Sequence, residues 1–185
     1  DLIVALKGSG PKEAMDALKQ AAVPIAEISD RYDAAGVSEK VRQVGAAIGV
    51  PEKAEELALA VEGKLKSAAE KAAAAKPRKV IFVLSMQGGK VMAAGEESSA
   101  DGIIRLAGAT NAMTGFTGYK QVTEEAVITA KPEAIIMMTR EGDHAAADAD
   151  LKAHPAFRDS PAVKNNAVLR FDGNYLLGFG PRTAD

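Results

Sequence analysis

Cysteine is absent from this chain of 185 residues, which removes disulfides, thiolate metal sites and cysteine nucleophiles from consideration. A chain without thiols fits any redox compartment, an oxidising one included. Tryptophan is also absent, tyrosine occurs three times and histidine twice. The two histidines, His144 and His154, lack the H-E-x-x-H spacing, so a zinc site is not expected. Neither sign of charge dominates: 23 basic and 25 acidic residues leave a net charge of −2. The isoelectric point is near 5.8. Nucleic acid is therefore not an expected partner. Apolar runs such as Val80–Leu84 are far shorter than the roughly 20 residues a membrane-spanning helix needs, so membrane insertion is not expected. No phosphate loop of the form G-x-x-x-x-G-K-[ST] is present, and Ser85, Ser98 and Ser99 lack a G-x-S-x-G elbow. No carboxylate pair stands out as acid and base, so catalysis is not expected.

What remains is a chain that is 47% hydrophobic, enough for a sizeable core. Its apolar residues fall into an alternating rhythm. Leu2–Leu6 reads as a strand buried on both faces, and a helix follows from Pro11 to about Ala22. Val23–Ile28 reads as a second strand. Val37, Val41, Val44 and Ile48 mark a second helix, ended by Gly49. The longest helical signal runs from Pro51 to Lys76, about 39 Å at 1.5 Å per residue. Leu57, Val61, Leu65, Ala68 and Ala72 form its expected apolar stripe. Beyond it, Val80–Leu84, Val91–Ala94, Ala134–Met138 and Val168–Phe171 read as strands. Ala100–Ala107, Thr123–Ala130 and Ala145–Ala153 read as helices. Thr123 is the expected cap, with Val122 and Val127 as a hydrophobic staple. The reading is an α/β protein of two lobes with mainly parallel sheets flanked by helices. Residues 1–50 form part of an N-terminal lobe, 51–76 a bridging helix and 77–185 a C-terminal lobe. A stiff bridge between two lobes suggests a ligand cleft. The chain opens inside an apolar strand and both ends read as cuts, so it is expected to be a fragment with an incomplete N-lobe and a truncated C-lobe. A cut lobe also offers a surface on which two copies can pair.

The tail Leu176-Leu-Gly-Phe-Gly-Pro-Arg-Thr183, with Asp172-Gly173 ahead of it, resembles the closing segment of periplasmic haem-binding proteins, the substrate-binding components of haemin ABC importers. Val83-Leu-Ser-Met-Gln87, Ala100-Asp-Gly-Ile-Ile104, Asn111-Ala112, Gly118-Tyr-Lys120 and Ala153-His-Pro155 match in the same order. The wider class joins two lobes by a single helix and includes binders of vitamin B12 and ferric siderophores. The resemblance implies haem as the transported ligand, a periplasmic location and delivery to a permease. It also implies that the main axial ligand of the iron lies upstream of Asp1. A binder of cobalamin or a ferric siderophore is the alternative, and an enzyme or redox subunit on the same fold a second one.

A haem site needs an axial donor, apolar faces and cations near the propionates. Met86, after the Val80–Leu84 strand, is placed to pack on the porphyrin or ligate iron, or else fills a gap in the core. In the loop Thr114–Lys120, Phe116 can face the macrocycle, Tyr119 can donate a hydrogen bond or a phenolate, and Lys120 can meet a propionate. Alternatively the two rings plug the lobe and Lys120 is solvated. Phe179 and Arg182 belong to the family-like tail, and Arg182 can reach a carboxylate or sit on the surface. Glu124 and Glu125 lie where the helix dipole favours negative charge. The resemblance makes Glu125, beside Glu124, the C-lobe contact to the permease. His144 reads as solvated.

Overall fold

The computed structural model describes residues 1–21, 23–139 and 148–185 and divides into two compact units. The first comprises Asp1–Leu65 with Gly180–Asp185, and the second Lys66–Phe179. In the first unit, strand β1 (Ile3–Leu6), helix α1 (Lys12–Gln20), strand β2 (Ile25–Ile28) and helix α2 (Ala34–Ala47) alternate as the apolar pattern predicts. Strands β1 and β2 pair in parallel, Ile3 opposite Ile25 and Leu6 opposite Ile28. The Asp33 carboxylate accepts the Gly36 N–H at 2.7 Å and starts α2. Strand β1 departs from expectation. Leu2, Val4 and Leu6 are 39%, 42% and 38% exposed, because β1 has one partner strand and packs only one of its faces.

Helix α3 (Pro51–Ala73) is one uninterrupted element, begun by proline where no backbone donor is needed. Its buried stripe is Ala54, Ala58, Val61 and Leu65, spaced by four, three and four residues. The predicted stripe is right at Val61 and Leu65 and wrong at Leu57, which is 43% exposed, and at Ala68, which is also exposed. Small residues win the inner face because α2 and α3 pack closely: a methyl group at Gly45 would fall on the Ala54 side chain. Arg42 on α2 then reaches two carboxylates on α3. Its Nε and Nη2 donate to Glu55 at 2.6 and 2.9 Å, and its Nη1 donates to Glu62 at 2.7 Å.

The second unit is built on strand β3 (Lys79–Gln87). Strand β4 (Lys90–Ala94) returns antiparallel through a two-residue turn, with Gln87 opposite Lys90. Gly88 and Gly89 both have positive φ, +57° and +74°, which such a turn requires. Helix α4 (Ser99–Leu106) leads to a two-residue strand β5 (Thr110–Asn111), then β6 (Tyr119–Val122), helix α5 (Glu124–Ala130) and β7 (Ala134–Thr139). Helices α6 (Asp148–Ala153) and α7 (Pro161–Lys164), strand β8 (Val168–Asp172), helix α8 (Gly173–Leu177) and a 3₁₀ turn (Pro181–Ala184) complete the chain. The sheet order is β6-β4-β3-β7-β8, with β5 also pairing β3. The β3–β5, β3–β7 and β7–β8 pairs are parallel, and the β3–β4 and β4–β6 pairs antiparallel, so the sheet is mixed. A helix is present over the described part of Ala145–Ala153. Among the described residues no helix is long and apolar enough to cross a membrane.

Two cores flank this sheet. Ile81, Val83, Val91, Ala93, Val127, Ile135, Met137, Leu151 and Phe157 form one. Val80, Phe82, Ala94, Ala100, Ile104 and Leu176 form the other. Neighbouring residues of β3 and β4 belong to opposite cores, as the two-residue period of a strand demands. The buried Ser98, Asp101 and Asn111 are satisfied locally. The Asn111 amide donates to Asp101 at 3.2 Å and to the Ala94 carbonyl at 3.3 Å, and Ser98 caps α4.

Two outcomes follow. Hydrogen bonds from Arg42 hold the Glu55 and Glu62 carboxyls below their ordinary range. Such carboxylates stabilise the fold above the ordinary carboxylate range, and the contribution is lost as pH falls through the lowered values. Arg42→Met should lower the urea midpoint near neutral pH and flatten its decline toward about pH 3, by a small amount because the groups are exposed. Parallel pH profiles of midpoint for the two proteins would remove this linkage. At Gly95, a methyl group would meet the Phe116 carbonyl and ring. Gly95→Ala should cost about 1–3 kcal/mol in thermal or urea unfolding, and an unchanged midpoint would show that Phe116 yields freely.

Candidate functional site

In parallel α/β sheets, ligands gather beyond the carboxyl ends of the strands. In the second unit those ends are Gln87 of β3, Thr139 of β7 and Asp172 of β8. A cavity of about 420 Å³ opens there, lined by Met138, Thr139, Asp172, Gly173, Asn174 and Leu177 among others. The Asp172 carboxylate accepts the Tyr175 N–H at 2.8 Å, so β8 passes directly into α8 rather than into the simple turn its Asp-Gly pair predicts. Met86 precedes the β3–β4 turn and lies half-buried against the Ile81–Val83 core. A register irregularity between Val83 and Ser85 sets the facing of the strand end that carries it.

The Thr114–Lys120 segment is less of a loop than its glycines predict, for Tyr119 and Lys120 open strand β6. The stretch before it is zipped to residues 95 and 96. Gly95 and Glu96 donate to the carbonyls of Gly118 and Phe116, at 2.7 and 2.9 Å, and the Glu96 carboxylate accepts the Gly115 N–H at 3.1 Å. Phe116 is half-buried against the same core as Met86, and the Lys120 ammonium stands 5.7 Å from the centre of its ring. Tyr119 goes the other way. Its hydroxyl pairs with Ser99 Oγ at 2.9 Å, and its ring meets Phe82 edge-on at 6.2 Å, on the face covered by α4. Adjacent residues of a strand face opposite sides, so Tyr119 cannot share a surface with Lys120.

Phe116 and Lys120 thus stand together, Met86 packs on the same core as Phe116, and Tyr119 does not join them. Phe179 is fully buried, with φ of +45°, and presents no surface to a ligand. Arg182 is exposed on the 3₁₀ turn, within the first unit. Glu124 and Glu125 are exposed in the first turn of α5, where Thr123 Oγ1 accepts the Ala126 N–H at 3.2 Å. Neither carboxylate is ion-paired among the described residues. His144 lies outside the described residues. Among those described, no three His, Asp or Glu side chains are grouped to hold a metal ion.

Sequence reading overlooked one residue at this end of the sheet. His154 is 8% exposed, and Nε2 lies 3.1 Å from the Gly89 carbonyl at the tip of the β3–β4 turn. A lone histidine carries no spacing signal, and nothing in its neighbourhood along the chain marks a partner 65 residues away.

Comparison with known proteins agrees with this architecture. The family model described as periplasmic binding protein matches residues 1–175. The periplasmic heme-binding protein BhuT, solved in complex with two hemes, is 34% identical with a TM-score of 0.92, over 100% of this chain and 70% of that one. The periplasmic heme-binding protein RhuT from Roseiflexus sp. RS-1, solved in apo form, is 29% identical with a TM-score of 0.90, over 99% of this chain and 71% of that one. An uncharacterized ABC transporter substrate-binding lipoprotein, YvrC of Bacillus subtilis, is 26% identical over 186 residues, 98% of this chain. The chain spans 58% of that relative's length. With a match that runs through both units, this chain belongs to the periplasmic binding protein family.

Proposed function

We propose that this chain is part of the substrate-binding component of an ABC importer, working outside the cytoplasm, and that its ligand is haem. The supporting observation is the full-length likeness, at 34% identity and a TM-score of 0.92, to a protein solved with two hemes bound. In this reading the two units are the lobes of the binding protein, and α3 runs from one into the other. Met86 and Phe116 offer soft and aromatic surface to the flat macrocycle, and Lys120 and Arg182 offer cations to its carboxylates. The Met86 thioether is this chain's own candidate donor to the iron. Tyr119 acts behind this surface by fixing β6 against α4. The task is binding and release, and no side chain is asked to perform chemistry. Glu124 and Glu125, exposed at the start of α5, would meet cationic groups on the permease, since rim charges steer encounter and orientation. Pairing of two copies finds no support in the comparisons.

Titration with haemin should give a saturable shift of the Soret band. Cobalamin and a ferric siderophore, added as competitors, should leave it unchanged. Displacement of haemin by either would move the ligand assignment to that compound, and no spectral change would end it. Met86→Ala should weaken haemin binding about tenfold, near 1.4 kcal/mol, and an unaltered titration curve would return Met86 to a packing role. Glu125→Lys should cut uptake by cells carrying the native importer and leave haemin affinity as it was. Normal uptake by that variant would remove the docking assignment.

A further inference from the structure

The β3–β4 turn projects from the sheet, and Gln87, Gly88, Gly89 and Lys90 are all exposed. A two-residue turn of two glycines has little of its own to hold it still. Among the described residues one hydrogen bond reaches it from outside the hairpin, and it comes from the His154 ring. The direction of that bond is fixed by the other ring nitrogen. Nδ1 accepts the Ala156 N–H at 3.2 Å, so it carries no proton. A carbonyl only accepts, so the proton sits on Nε2 and is donated to Gly89. The ring is held further by Phe157, at 5.8 Å between centroids. Leu151, Ala156 and Phe157, which flank His154, lie in the core against which Met86 packs. The segment that carries the histidine and the strand end that carries Met86 are therefore joined twice, by shared apolar packing and by this one polar contact.

We propose that His154 is a positioning residue: its Nε2-protonated ring fastens the β3–β4 turn and thereby steadies the strand end that presents Met86 to the ligand. The second half of this statement rests on the ligand reading above, and the first half does not. Loss of the ring's hydrogen bond to Gly89 frees the turn without emptying the core around it.

The test has a ligand-free arm and a ligand arm. His154→Leu keeps an apolar body and loses both hydrogen bonds, whereas the amide of His154→Gln can donate to Gly89 again. Amide exchange at Gln87 and Lys90 should quicken about tenfold in His154→Leu and return most of the way in His154→Gln, with protection of β7 unchanged. Equal exchange in wild type and His154→Leu overturns the clamp. In the wild-type protein, nitrogen-15 shifts of the ring should place the proton on Nε2; a proton on Nδ1 overturns the clamp even where a variant fails to fold. In haemin titrations His154→Leu should shift the Soret maximum and weaken binding, and Met86→Ala in that background should add less than it does alone. Full additivity of the two substitutions overturns the positioning role. Wild-type protein that binds no haemin overturns that role and the haem reading together, and the exchange arm still decides the clamp.

Discussion

Strand β3 has partner strands on both sides. It pairs with β7 along one side, while its other side is divided, β5 taking Lys79 and Val80 and β4 taking the stretch from Val83 to Gln87. Its side chains feed both cores in turn, Ile81 and Val83 into one, Val80 and Phe82 into the other. Both sets are buried, so neither face can be given up without exposing aromatic or branched apolar surface. The other strands inherit their facing from this alternation through the pairing registers. Ala93 and Ala94 of β4 are sorted to opposite cores, and Lys120 and Tyr119 of β6 are sorted with them. The separation of Tyr119 from Lys120 is thus a consequence of β3, two pairings away.

That dependence explains what was legible beforehand and what was not. Val80–Leu84 and Ala134–Met138 are recognisable because a strand buried on both faces is apolar at every position. The same rule misleads at Leu2–Leu6, where an apolar run sits in a two-stranded sheet with half of its side chains exposed. Helix α3 is visible through its start signal and period. Its inner face is not, because the closeness of α2, which selects Ala54 and Ala58 over Leu57, depends on Gly45 from another helix. The short strands β5 and β6 and the single turns α7 and α8 have too few residues to show a period.

For the site, composition supplied the candidates and topology sorted them. Phe116 and Lys120 remain near one another because a zipped loop leads straight into the first residues of an edge strand, and Met86 at a strand end packs on the core that Phe116 shares. Phe179 carried a family-like motif yet is packed inside, and glycines on either side of it gave no indication of that. Thr123 was legible as a cap since a cap is a local, three-residue affair. A contact such as that between His154 and Gly89 is non-local by nature and surfaces only in coordinates.

The alternation along β3 has a bearing on how such a chain can change in length. Adding one residue within β3 or β4 would invert the facing of everything downstream to β6, unless a second bulge absorbed it. The end of β8 carries no such parity condition, since it runs on into helix α8 rather than into a paired return strand. A change of length at the β8 margin of the sheet therefore leaves the facing of the hairpin margin untouched, whereas one within the hairpin does not.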